Sequence, residues 1–237
     1  MSMRRSTGPL TPPLPSPLFL ETCARLQLSS TQRAQLDTYV DVLGKWQPKL
    51  NLIGPKTWDD VWDRHVVDSL QCLDHLNAAK PLDSPPDSSA EHPTRTAFDR
   101  GIADIGTGAG FPGIVVAIAT GLPVTLVESD HRKAAFQLAV KTATGTPLSI
   151  VTKRVEALPA KPLDCLFARA FAPLPRLLEW CAPIIDAQTV LILHKGRTAS
   201  EEISAAHQTH RFDVESFPSL IDSESAILRL RNVRPAR

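Results

Sequence analysis

The sequence of 237 residues predicts an α/β protein built on a mostly parallel, seven-stranded sheet with a C-terminal antiparallel hairpin, preceded by a small helical N-terminal part. Three observations predict it. Apolar runs of strand length alternate with helical patterns from Ala97 onward, as βαβ units do. A glycine-dense turn, Gly106-Thr107-Gly108-Ala109-Gly110-Phe111-Pro112-Gly113, follows the first of those runs. Two strand-like runs, 212–217 and 226–230, then follow each other without a helix between them, which suits an antiparallel ending.

Taken in order, residues 1–17 contain Pro9, Pro12, Pro13, Pro15 and Pro17 and are expected to be a disordered or extended tail. Residues 18–80 read as helical. Ser29 and Ser30 can cap a helix on which Leu36, Tyr39, Val40, Leu43 and Trp46 recur at helical spacing up to Pro48. Thr57, with Asp60 three residues on, suggests a capping box before Val61, His65, Leu70, Leu73 and Leu76. Residues 81–97, with Pro85, Pro86 and Pro93, look like a flexible connection. Residues 98–237 hold the sheet: strands near 102–104, 124–128, 149–152, 165–168 and 190–194, and helices near 111–120, 131–143, 174–181 and 200–209.

Composition narrows the class. With 43% hydrophobic residues and a net charge of +1, the chain suits one large soluble core and carries no global field for nucleic acid. Locally, 131–197 carries ten Lys and Arg against four acids, a surplus of six that either faces an anion or decorates solvated helix ends. Cys23, Cys72, Cys165 and Cys181 form no zinc or C-x-x-C pattern, so reduced thiols in a cytoplasmic protein are expected, with no metal. No apolar stretch reaches the roughly 18 residues of a membrane span, and prolines interrupt the N-terminus where a signal core would lie.

Gly106, Gly108 and Gly110 permit φ > 0 and close approach of a ligand to backbone, which points to a nucleotide-like cofactor. Residues 108–113 also satisfy the G-x-G-x-x-G pattern of NAD and FAD sites, a weak match alone. Asp104 separates the two. A carboxylate about 4 Å from a phosphate is opposed by roughly 4 kcal/mol at an effective dielectric near 20. S-adenosyl-L-methionine carries a sulfonium and an ammonium and no phosphate, so Asp104 favours it. Glu128, ending the next strand, is placed to accept from both hydroxyls of a ribose. Together with the hairpin ending, and with no residues left for a dehydrogenase's substrate domain, these features indicate a Rossmann-like, class I S-adenosylmethionine-dependent methyltransferase.

Several motifs in order then carry a family resemblance: Lys45-Trp46, Asn51-Leu52-Ile53, Arg64-His65-Val66-Val67-Asp68-Ser69-Leu70, 104–113, Arg154-Val155-Glu156, Ala168-Arg169-Ala170-Phe171 and Lys195-Gly196. Over about residues 30 to 230 the sequence resembles the bacterial 16S rRNA guanine-N7 methyltransferase family, also called glucose-inhibited division protein B. The resemblance implies methylation of one guanine of 16S rRNA, in the small ribosomal subunit or its precursor, by a monomer. It places Gly106 and Phe111 beside methionine and adenosine, Glu128 at the ribose, Val155 and Glu156 at the adenine, and Arg169 where cofactor and target base meet. For Arg169 a phosphate or cofactor contact is favoured, because an arginine at the C-terminal end of a parallel strand points into the ligand crevice, with a structural salt bridge as the runner-up. No side chain is assigned a proton-transfer role, because guanine N7 carries a lone pair and no proton.

The sequence contains no Asn-Pro-Pro-Tyr-like segment for an exocyclic amine and no Pro-Cys pair for attack on a pyrimidine. Arg132, Arg154, Lys195 and Arg197 are the candidates for RNA phosphates. Phe111, Phe171 or Trp180 could stack on a base, with Phe111 best placed. Arg64 and Asp68 are expected to anchor the helical part to the sheet beside the cofactor mouth. Two rival readings are a nicotinamide-dependent reductase and a non-catalytic ribosome-assembly factor with the same fold.

Overall fold

The computed structural model describes residues 8–77 and 98–236. The connection expected at 81–97 lies outside the described residues. So do residues 1–7 and Arg237.

The strands are β1 (Ile102–Ile105), β2 (Val124–Val127), β3 (Leu148–Val151), β4 (Cys165–Arg169), β5 (Val190–Lys195), β6 (His210–Pro218) and β7 (Ala226–Pro235). They form one sheet of order β3-β2-β1-β4-β5-β7-β6. The first five are parallel, and β7 runs antiparallel to both β5 and β6. β1 and β4 are adjacent, so connections leave in opposite directions there; that reversal opens a crevice at the C-terminal ends of these strands. β1 is buried throughout and β4 up to Arg169, because they are covered on both faces. The hairpin is longer than the 212–217 and 226–230 runs suggest. β7 is paired on both sides, so its ladder holds polar residues such as Arg229, which ion-pairs with Glu215 on β6 at 2.7 Å.

Helix α1 (Pro17–Arg25) is capped by Ser16, and α2 (Ser30–Leu50) by Ser29, whose side chain accepts from Gln32 N–H while Gln32 reaches back to the Ser29 N–H. α2 runs past Pro48 to Leu50 rather than stopping at the proline, and Asn51 closes it in the left-handed region at φ 47°. The capping box expected at Thr57 does not form. Pro55–Thr57 is a 3₁₀ turn, and Thr57 Oγ1 donates to Gly54 O at 2.8 Å instead of capping a helix. Trp62–Val67 then forms a π-helical turn, followed by α3 (Asp68–Leu70) and α4 (Cys72–Asn77).

The proline-rich segment is not a free tail over its described part. Leu10 N–H donates to Gly44 O, while the indole N–H groups of Trp58 and Trp62 donate to the carbonyls of Thr11 and Pro13. Proline leaves carbonyls unopposed by its own donor, and two buried indoles need acceptors.

One sheet face is covered by α5 (Gly113–Thr120) and α6 (His131–Thr144), the other by α7 (Leu174–Cys181) and α8 (Ala199–Ala206). The N-terminal helices join the first layer, so no separate helical domain is formed. Tyr39, Leu43 and Trp62 share one buried cluster with Ile114, Phe136 and Ile192. Gln32 and Gln35 on α2 also donate to the C-terminal carbonyls of α5 and α6, Ala119 O and Thr144 O, both at 2.8 Å. Burying each such aromatic or aliphatic side chain contributes about 1.5–3 kcal/mol, and truncating Phe136 would cost about 3–5 kcal/mol.

Candidate active site

The glycine turn passes from β1 to α5 in a conformation that requires its glycines. Gly106, Gly108 and Gly110 sit at φ 62°, 54° and 93°. A Cβ on Gly106 would overlap the ring of Phe171, from the loop after β4. α5 begins at Gly113, not at the expected 111, because the chain is still turning through Phe111 and Pro112. Side chains from four elements hold the turn. Tyr39 Oη donates to Ala109 O at 2.6 Å, Gln137 Nε2 to Gly108 O at 2.9 Å, Glu128 Oε2 accepts from Gly108 N–H at 2.8 Å, and Asp104 Oδ2 accepts from Gly113 N–H at 2.9 Å. Sequence reasoning missed Tyr39 and Gln137. Their signal was a polar group on a helix face otherwise destined for the core.

Asp104 is the first correction. It is fully buried, and burial pushes its carboxyl up from 3.8 to about 7. A side chain turned beneath the loop and aimed at a helix N-terminus cannot meet a cation in the crevice. Its work is to fix the turn, and the charge argument made for it is not met by the geometry.

Around the turn, a cavity of about 160 Å³ is lined by Gly106, Glu128, Val155 and Glu156, together with Phe171 and Trp180. Val155 and Glu156 reach it because Val155–Ala157 is a 3₁₀ turn directly after β3. Glu128 is 7% exposed, and its second oxygen accepts from Asp130 N–H at 2.8 Å. One bond to each oxygen leaves each a free lone pair for a hydroxyl donor.

Phe111 is the second correction. It is 5% exposed, with its ring against Tyr39 at 5.2 Å and stacked on His65 at 5.1 Å, and the Arg169 guanidinium lies 5.7 Å from its centroid. It is packed on these sides and lines none of the three cavities of the crevice described here, so no base can stack on it. Phe171 and Trp180, edge to face at 5.7 Å, are the half-buried aromatics at the cavity.

Beyond Phe171 the crevice widens into a space of about 310 Å³ beside Ala170, His194, Lys195 and Glu202. Lys195 is the third correction. Its Nζ donates to Ala172 O and to Glu202 Oε2, both at 2.7 Å, and its side chain is only 8% exposed, so it is not available to a phosphate. Glu202 also accepts from Leu174 N–H and Thr198 Oγ1, and these donors hold its carboxyl below the usual range despite its burial. Arg197 is exposed and pairs with Glu224 at 3.0 Å, and Arg132 is exposed and pairs with Asp130, the cap of its own helix, at 3.2 Å. Arg154 is exposed at the rim of the Glu128 cavity and forms no ion pair among the described residues.

Arg169, at the end of β4, meets the helical part of the chain. Nη1 lies 2.9 Å from Asp68 Oδ2, and Nη2 contacts His65 Nδ1. Asp68 therefore anchors the helical part to the sheet as expected, while Arg64 stays exposed nearby, both lining a further cavity with Arg169. Arginine can only donate, so His65 Nδ1 is the acceptor and Nε2 carries the proton, donated to Thr57 Oγ1 at 2.8 Å. Burial, reinforced by Arg169 and Arg64, lowers the His65 pKa to about 3, and the ring is neutral. His194 Nε2 lies 2.9 Å from Asp68 O, and burial lowers its pKa too. Sequence reasoning passed over His194, although the C-terminal end of a parallel strand was its signal.

The glycine turn, the cavity with an acid at its β2 edge and the polar cluster beyond β4 lie side by side along the strand ends, sharing Phe171, Ala170 and His194 as walls. The architecture matches known structures at low identity. It superposes on the L11 methylase of Lactobacillus delbrueckii subsp. bulgaricus with a TM-score of 0.50 at 14% identity over 68% of this chain and 77% of that one. On a point mutant of MtNAS in complex with S-adenosylmethionine the TM-score is 0.54 at 16% identity, over 85% and 72%. Sequence relatives are nearer. The ribosomal RNA small subunit methyltransferase G of Rhodospirillum rubrum is 40% identical over 85% of this chain and 91% of its own length, and that of Rhodospirillum centenum 38% over 94% and 95%. The family model described as rRNA small subunit methyltransferase G matches residues 32–84 and 87–227. The chain belongs to the rRNA small subunit methyltransferase G family.

Proposed function

We propose that this crevice binds S-adenosylmethionine beside Glu128 and transfers its methyl group to N7 of one guanine of 16S rRNA. The observation that carries the reading is that the Glu128 cavity and the space beyond β4 share Phe171 as a wall, side by side at the C-terminal ends of the strands. The residues fit the cofactor. Gly106 offers backbone without a side chain, Glu128 has lone pairs for a ribose diol, and Val127 and Val155 give apolar walls. When bound, the cofactor supplies an electrophilic methyl on a sulfonium.

The chain's own residues then have little to do beyond positioning. N7 already presents a lone pair, so alignment of donor and acceptor is the catalytic requirement, and no proton has to leave. His65 is neutral with both ring nitrogens engaged. Arg169, tied to Asp68, holds a fixed cation where base and cofactor meet. Phe171 and Trp180 offer the aromatic surface that an unstacked guanine needs, repaying about 1–3 kcal/mol of the unstacking cost. Arg154 and, after release from Glu224, Arg197 serve phosphates at the rim.

The monomer acts in the cytoplasm on the small subunit or its precursor. No helix among the described residues is long and apolar enough to cross a membrane. Labelled-methyl transfer to unmodified 16S rRNA and to intact small subunits, followed by mapping of the product, tests the reading. Methylation of a pyrimidine or an adenine overturns it.

A further inference from the structure

The crevice ends in a third cavity, of about 280 Å³, between the Arg64 and Asp68 side, the strand ends at Arg169 and His194, and the β6–β7 loop at Ser219 and Asp222. Arg64 forms no ion pair among the described residues, while Asp68 is matched there by Arg169, and Lys195 by Glu202 of the neighbouring cavity. Asp222 is different. Among the described residues it has no cation partner; one oxygen accepts from Glu224 N–H at 3.0 Å and the other from Ser225 Oγ at 3.3 Å. Those two bonds fix the carboxylate and leave a lone pair on each oxygen.

We infer that Asp222 reads the Watson–Crick edge of the target guanine, accepting from N1–H and the N2 amine. The inference rests on the guanine reading above. A purine whose N7 faces the methyl donor turns its N1 and N2 edge the opposite way. The three cavities lie in series: the Glu128 cavity meets the middle one at Phe171, and the middle one meets the third at Ala170 and His194. Asp222 lines the cavity that shares no residue with the Glu128 cavity, on the side toward which that edge turns. Guanine presents two donors there. Adenine presents a lone pair at N1, which a carboxylate repels, so the same residue selects between the purines.

The test uses the full chain and rRNA transcripts with guanine or inosine at the methylated position, inosine lacking only the N2 amine. The wild type should prefer guanine by about tenfold in kcat/KM, within the range of a well-made base contact. In Asp222→Asn and Asp222→Ala, guanine methylation should fall by about tenfold or more and the preference should collapse toward one. S-adenosylmethionine affinity, measured by calorimetry, should be unchanged, which also reports a folded crevice. An undiminished preference in Asp222→Asn overturns the inference, as does an equal rate on both transcripts by the wild type. Loss of cofactor affinity in both variants assigns Asp222 to the fold instead. A wild type that methylates neither transcript, whether naked or assembled into small subunits, defeats the underlying guanine reading, and this one with it.

Discussion

On the β1–β2 side of the crevice the carboxylates bind backbone: Asp104 accepts from Gly113 N–H, and Glu128 from the N–H groups of Gly108 and Asp130. On the β4–β5 side they bind cations, Asp68 holding Arg169 and Glu202 holding Lys195. Both sides are ends of parallel strands in one sheet, yet the first is shaped by chain conformation and the second by charge balance. The first should therefore fail when atoms are added, and the second when a charge is removed.

The largest expected contrast is in pH dependence. The Asp104 carboxyl, raised to about 7, keeps in the folded state a proton that the unfolded chain releases near its ordinary value of 3.8. Stability from this group therefore falls as pH rises from about 4 to about 7 and is level above, by up to about 4 kcal/mol. Asp104→Asn removes that fall, so the variant should gain on the wild type between pH 5 and pH 8 in urea unfolding. His65, buried and neutral, runs the other way between its ordinary 6.5 and about 3, and is common to both proteins. A variant that loses ground at pH 8 breaks the comparison.

Next in size, Lys195→Met strands Glu202 and should cost about 3 kcal/mol at pH 7, read from the urea midpoint. Gly106→Ala sharpens the opposite side. Left-handed strain and overlap with Phe171 should weaken S-adenosylmethionine binding by about a hundredfold in calorimetry, at roughly 1.4 kcal/mol per tenfold. Asp68→Asn frees Arg169 and should lower kcat by about tenfold with cofactor affinity kept. The smallest effect belongs to Arg154→Ala: a few-fold rise in KM for RNA and a salt slope shallower by about one.

The sheet was legible because apolar runs and helical periods alternate without ambiguity from Ile102 to Lys195, and the helix start at Ser29 because a capping box is a local signal. Gly106 and Glu128 stood out because each ends or follows a strand, whereas Val155 and Glu156 were named only through the family resemblance; all four line one cavity. What a side chain faces was not. Phe111 and Phe171 look alike in sequence, and only packing against Tyr39 and His65 decides that the first is core. Lys195 read as a free cation because its partner, Glu202, lies on the following helix with nothing between them to announce the pair. The docked residues 10–13 were hidden because their acceptors answer donors on Trp58 and Trp62, nearly fifty residues away.

The bonds running from Arg169 through His65 to Thr57 and on to Gly54 O all point one way, each group giving its proton to the next. Such a chain is a sink with its outlet already filled: its only lone pair near the crevice is spent on a guanidinium, and its last proton rests on a carbonyl. A histidine held in this way can neither take a proton from a neighbouring group nor lend one. For an acceptor atom that carries no proton, that silence costs the reaction nothing.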